Sequence, residues 1–235
     1  MKHFGFTLAE VLITLGIIGI VAAMTIPSLN SKIIKRQVEA RTKVAYSTIA
    51  QALKLSEDKG NTSMQVQVST KGQKEWFDKN LAPSLQVTSL CVQQAGCWHK
   101  KGVVKTLQHQ TPSFETSVGI DDSTLGWSTL TFKTAKGIWG NLDGSSPGTN
   151  SNLFGVDAKG NSLEFYIDVN GDRGPNIIGK DIYILVYNED IGTVPAGYSR
   201  TKAQVEQNCL TGNGYWCLSK LMNDGWKIDD KVWKR

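Results

Sequence analysis

Glu10 is the only ionisable side chain between Phe6 and Leu29, and the stretch from Val11 to Ala23 holds a single polar residue, Thr14. A charge inside such a run costs roughly 2.5–3.5 kcal/mol near the middle of a bilayer, so it calls for a counter-charge or a task. A second chemistry-bearing stretch is Asp168-Val-Asn170-Gly-Asp172-Arg-Gly-Pro-Asn176, with Asp181 beyond it. Alternating oxygens of Asp168, Asn170, Asp172 and Asp181 on a glycine-rich loop can gather round a hard cation, calcium (Ca2+) above all. The EF-hand pattern fails, because its sixth position is Arg173 in place of glycine and its twelfth is Gly179 in place of glutamate. The competing reading is a turn between two strands, with Asn-Gly and Gly-Pro in ordinary turn roles.

The four cysteines are Cys91, Cys97, Cys209 and Cys217. An oxidising setting would favour two disulfides, and four cysteines allow three pairings. Proximity suggests Cys91–Cys97 and Cys209–Cys217, each closing a small ring that fixes loop shape more than fold. His99 and His109 follow Cys97, but the spacings match no standard zinc pattern. The sequence holds no Gly-x-Ser-x-Gly elbow, phosphate-binding P-loop, His-Glu-x-x-His helix or full dinucleotide fingerprint, which argues against an enzyme. A net charge of +5 is too mild to imply nucleic-acid binding, and His99, Lys100, Lys101 and Lys105 read as a solvated charged loop. Seven tryptophans, Trp127 among them, suit core or groove packing.

These residues need elements to hold them. The apolar run to Leu29 is long enough to cross a bilayer as a helix. It is too long for the core of a cleaved secretory signal, and Val21-Ala22-Ala23-Met24 is a poor cleavage site. Its continuous apolarity also argues against a buried helix of a soluble domain. Gly16 and Gly19 offer points of close helix approach, and Pro27 removes a backbone hydrogen bond and invites a kink near the end of the run. Beyond it, Ile34, Val38, Ala45, Ile49 and Ala52 recur on one helical face, with Lys35, Arg36, Glu39, Lys43 and Lys54 around it. No glycine or proline intervenes between Pro27 and Gly60, so the helix is expected to reach residue 58 and stop at Gly60-Asn61. That makes one helix of about 53 residues and about 80 Å, first apolar all round (6–29), then amphipathic (30–58).

Residues 59–235 are rich in Gly, Ser, Thr and Asn, with strands expected at 103–107, 128–133, 137–141, 162–168 and 181–187. Short helices are expected at 74–81, 202–207 and 218–224. The expected fold class is α+β: a single head of antiparallel sheet wrapped on the second half of the long helix.

Met-Lys-His-Phe-Gly5 followed by Phe6-Thr-Leu-Ala-Glu10-Val-Leu-Ile-Thr-Leu-Gly-Ile-Ile-Gly-Ile-Val-Ala-Ala-Met-Thr-Ile-Pro27 resembles the amino terminus of type IV pilins and type II secretion pseudopilins. The resemblance covers the first 25 or so residues closely and the remainder only in outline. It implies that a prepilin peptidase cuts between Gly5 and Phe6, removing a 1–5 leader, and that the new Phe6 amine is N-methylated. Glu10 matches the family's assembly glutamate, which pairs with the Phe6 amine of a neighbouring subunit, and Pro27 matches its helix-kinking proline. The implied partners are copies of the chain, other pilins or pseudopilins, the peptidase/N-methyltransferase and an inner-membrane assembly platform. Major pseudopilins bind calcium in a carboxy-terminal loop, and pilin heads often carry a disulfide-bounded one, which draws attention to the Asp168–Asp181 and Cys209–Cys217 stretches.

The resemblance leaves pilus, secretion and competence (DNA-uptake) filaments open, while a head of this size with four cysteines leans toward a minor or specialised subunit. It also opposes one charge signal. Lys32, Lys35 and Arg36 follow the apolar run and only Lys2 and His3 precede it, which by charge alone would keep the head in the cytoplasm. Leader cleavage on the cytoplasmic side requires the reverse, an extracytoplasmic head on a single-pass anchor. The rival class is a permanently anchored extracytoplasmic binding domain or hydrolase that keeps its leader.

Overall fold

The computed structural model describes residue 5 and residues 7–59, 70–92, 94–100, 102–112, 130–145 and 147–235. Phe6, the Gly60-Asn61 stop, Lys101, Trp127 and the start of the strand expected at 128 lie outside the described residues. The chain divides into two compact units, Met1–Gln37 and Val38–Arg235.

Helix α1 spans Leu8–Asp58 and its helical assignment is unbroken at Pro27. In the first unit the side chains from Leu8 to Leu29 are exposed apart from a half-buried Ala22. In the second unit α1 becomes one-sided, burying Val38, Thr42, Ala45, Ile49, Ala52, Leu53 and Ser56 at steps of three, four or one, the spacing of a single helical face. Glu39 departs from the expectation of a solvated charge. It is buried, accepts a hydrogen bond from the Ile228 N–H (2.9 Å), and lies 3.4 Å from the Lys227 ammonium.

The α+β expectation holds. Helices α2 (Thr70–Asn80) and α3 (Ala82–Leu85) lead into a six-stranded antiparallel meander. Its strands are β1 (Val87–Val92), β2 (Leu130–Thr134), β3 (Trp139–Ser145), β4 (Ser162–Asp168), β5 (Ile182–Asn188) and β6 (Gly192–Pro195), hydrogen-bonded in sequence order. Helices α4 (Lys202–Leu210), α5 (Cys217–Asn223) and α6 (Asp230–Trp233) close the chain. A Thr201–Gln204 capping box opens α4, and the Asp229 side chain caps α6.

Side chains alternate across a strand, so the register assigns each residue a face. Leu142, Phe165 and Leu185 share one face with Phe132, Tyr183 and Tyr187. The Tyr187 hydroxyl donates to Glu57 on α1 (3.1 Å), and the Phe132 ring packs on Phe77 of α2 at 5.0 Å. Trp139, Asn141, Asp143, Glu164, Tyr166 and Asp168 point to the opposite face, which a second apolar cluster with Trp98, Val104, Phe154 and Tyr215 covers.

The strand expected at 103–107 is a turn pinned by one bridge, Lys105 to Ile177. Lys105 bonds to the backbone of Asn176 and Ile178 and never joins the sheet, while Val104 and Leu107 are buried as plugs. Strands β1 and β6, the two edges, were not foreseen: β6 has four residues ending in Pro195, too few for a periodicity to show.

Gly140 is fixed by close approach. A Cβ built there would lie 2.1 Å from Phe132 Cζ, and Phe132 is itself 1% exposed. Gly140→Ala is therefore expected to destabilise the chain by about 1–3 kcal/mol through overpacking, read as a lower thermal midpoint. Adding Phe132→Leu should recover part of the loss.

Candidate functional site

Two regions carry the residues singled out by their chemistry. At the amino terminus Gly5 is described and exposed, and Thr7 stands before α1. Glu10 Oε2 accepts from the Thr7 N–H (2.8 Å) and from the Thr7 hydroxyl (2.7 Å), while the Glu10 N–H donates to Thr7 Oγ1 at 3.2 Å. This is a reciprocal capping box, satisfying N–H groups that a helix start leaves unpaired. The spelling Thr7-Leu8-Ala9-Glu10 carries that signal, and a charge-pairing argument alone misses it. Glu10 Oε1 has no partner among the described residues.

The run behind Glu10 is chemically quiet. Thr14 donates to the carbonyls of Glu10 and Val11, and Thr25 to that of Val21, so both hydroxyls are satisfied within the helix. Nothing lies within 4 Å of a Cβ built on Gly16 or Gly19. Leu8, Leu12, Ile13, Leu15, Ile18 and Met24 are each more than 60% exposed. By length and composition α1 can cross a membrane, and an apolar surface of this extent marks contact with lipid or with other helices.

In the second unit the cysteines form Cys91–Cys97 and Cys209–Cys217, with Cα–Cα distances of 5.7 and 5.3 Å. The stretch from Asp168 to Asp181 joins β4 to β5, and its side chains serve the turn. Asp168 Oδ1 accepts from the N–H groups of Asn170 (2.8 Å) and Gly171 (2.7 Å), while Oδ2 meets His99 Nε2 at 2.6 Å. Asp181 accepts from the N–H groups of Asn176 (2.9 Å) and Ile177 (2.8 Å). Burial, and then the charge of Asp168, push the Asp181 carboxyl up to about 7 against the pull of those N–H donors. Asn170 donates to the carbonyls of Arg173 and Gly174, and its own Oδ1 is buried without a partner. Asp172 is exposed. Among the described residues no three His, Cys, Asp or Glu side chains converge as ligands of one metal ion.

The structure thus brings Asp168 and Asp181 together, adds His99, which sequence spacing did not select, and leaves Asp172 at the surface. His109 plays no part in this cluster. The same sheet face carries more buried polar groups: Asn141 is fully buried with both amide ends unpartnered, and the buried Glu164 stands opposite a half-buried Asp143 across the β3–β4 ladder.

A family model described as the prokaryotic N-terminal methylation motif matches residues 1–26. No curated protein and no solved structure matches the chain significantly.

Burial raises the Asp143 carboxyl to about 7, and the Gly144 N–H at 2.8 Å offsets this only in part. A carboxyl raised on folding adds stability below its unfolded value, and that contribution is lost as pH rises through about 7. Asp143→Asn removes the titration and keeps an acceptor for Gly144. At pH 8 the variant is expected to exceed the parent by on the order of 2 kcal/mol, and at pH 4 the difference should vanish; denaturant melts at both pH values check this.

Proposed function

From the methylation motif on residues 1–26, we propose that the chain is a prepilin-type structural subunit of a type IV pilus or type II secretion pseudopilus. It is made as a membrane-anchored precursor with its head outside the cytoplasm. Prepilin peptidase cuts between Gly5 and Phe6, Phe6 is N-methylated, and the exposed helix packs against copies of itself or other pilin-type subunits. The observation that carries this reading is the coincidence of the motif with an apolar helix broken by one carboxylate, Glu10. In lipid, pairing that carboxylate with the Phe6 amine of a neighbour neutralises two charges at once and sets the axial step between subunits. The work is mechanical, with no reaction assigned to the head.

Intact-mass analysis of the cellular protein is expected to show loss of residues 1–5 and one added methyl group on Phe6; a chain that keeps its leader overturns the proposal in favour of a permanent anchor. Glu10→Gln separates two roles, because an amide still closes the capping box with Thr7 but carries no charge. We expect Glu10→Gln to insert in the membrane and to be absent from sheared filaments, and wild-type incorporation would reduce Glu10 to a helix cap.

A second proposal concerns calcium at Asp168, Asn170, Asp172 and Asp181. Two buried neighbouring carboxylates and the unpartnered Asn170 Oδ1 favour a cation, and Asp172 would have to turn inward. Millimolar calcium is then expected to raise the melting temperature of the wild type and not of Asp181→Asn. An identical melt in calcium and in chelator defeats the idea.

A further inference from the structure

An open groove of ≈ 620 Å³ lies in the second unit, where the segment around Cys97 meets β2, β3 and the loop after β4. One wall is aromatic: the His99 ring stands 5.4 Å from Trp98 and 4.9 Å from Trp139, centroid to centroid, and is held by Asp168 at 2.6 Å. The Lys133 ammonium lies 3.8 Å above the Trp139 ring. Two polar atoms at this groove are buried and unpartnered, a donor (Trp98 Nε1) and an acceptor (Asn176 Oδ1). Trp98 is only 5% exposed, so its N–H lacks water as well as protein, a cost of about 1–3 kcal/mol. Lys100 and Lys133 line the groove without a carboxylate partner among the described residues, and Asp172 is the one exposed carboxylate in the lining.

We propose that this groove binds a carboxylate-bearing saccharide. A simple inorganic anion would use the lysines and leave the aromatic wall and the amide acceptor idle. An apolar ligand would satisfy neither ammonium nor amide. A stacked nucleobase would compete for the same indole surface, so an oligonucleotide is a control in the test. An acidic sugar matches each component: its C–H surface lies on the Trp139 face that Lys133 vacates, its hydroxyls both donate and accept, and its carboxylate pairs with the displaced Lys133. Asn176 can meet a hydroxyl with either end of its amide by rotation about its terminal bond.

The test uses the full-length, unassembled protein in micelles of a detergent with no sugar headgroup, so its outcome is independent of filament formation. The probes are tetragalacturonate, neutral maltotetraose, inorganic phosphate and an oligothymidylate, read through the indole N–H signals by NMR. Tetragalacturonate is expected to shift the Trp98 and Trp139 signals saturably. Lys133→Gln should weaken binding by about tenfold, with the other indole signals unmoved. Asn176→Gly, which suits the left-handed backbone there (φ 55°), should do the same. The proposal is overturned if tetragalacturonate moves neither signal, if any other probe binds as tightly, or if both variants bind like the parent.

Discussion

A carboxylate at the head of an apolar helix must be satisfied, and the first unit offers Glu10 little to satisfy it with. Thr7 supplies two donors to one oxygen, and the helix start supplies a favourable dipole. The rest of the helix to Leu29 offers hydrocarbon, the Thr14 and Thr25 hydroxyls already turned onto their own backbone, and Ser28 about five turns away. Among the described residues of the first unit nothing else solvates Glu10. The same holds for the apolar surface around it, which stays exposed among the described residues of its unit. Under the proposed function, assembly would meet both deficits together.

The second unit is organised by opposite means. There α1 buries Val38, Ile49 and Leu53 together with the smaller Ala45, Ala52 and Ser56, and the sheet supplies the aromatic side chains Phe132, Phe165, Tyr183 and Tyr187. The sheet's other face is built differently, with Asn141, Glu164 and Asp168 buried on the side where Trp98, Phe154 and Tyr215 form the apolar cluster. On that face Asp168 anchors a tight turn through two N–H groups and orients His99 at the same time. Gly171 belongs to this arrangement, since its φ of +62° permits the turn and its missing Cβ leaves room for Trp139. Turn geometry and groove wall are thus one structure.

Much of the fold could be read from the sequence because its signals are local. Strand β4 falls on the residues expected, β5 within one, and both disulfides follow from short spacing. The spine face of α1 follows from its period. What escaped depends on distant partners. Glu39 looks solvated until Ile228, 189 positions away, supplies an N–H. His99 looks like an odd metal ligand until Asp168, 69 positions away, meets it. Residues 103–107 have strand-like composition, but one bridge to Ile177 claims them for a loop. The buried Asn141, Glu164 and Asp168 run against the expectation that buried strand faces are apolar, and no pattern within either strand reveals that they are covered.

The two disulfides close rings of only 6 and 8 residues in sequence separation. Neither ties the sheet or the terminal helices to α1. Within the second unit, the joint between spine and sheet is therefore wholly non-covalent: interdigitated apolar side chains, the Tyr187–Glu57 bond, and the Glu39 carboxylate clasping the backbone at Ile228. A tensile load entering along the helix would meet no sulfur bridge on its way into the head. Its yield point would be set by how fast those contacts peel, and the chain could re-seat afterwards with its covalent structure unchanged.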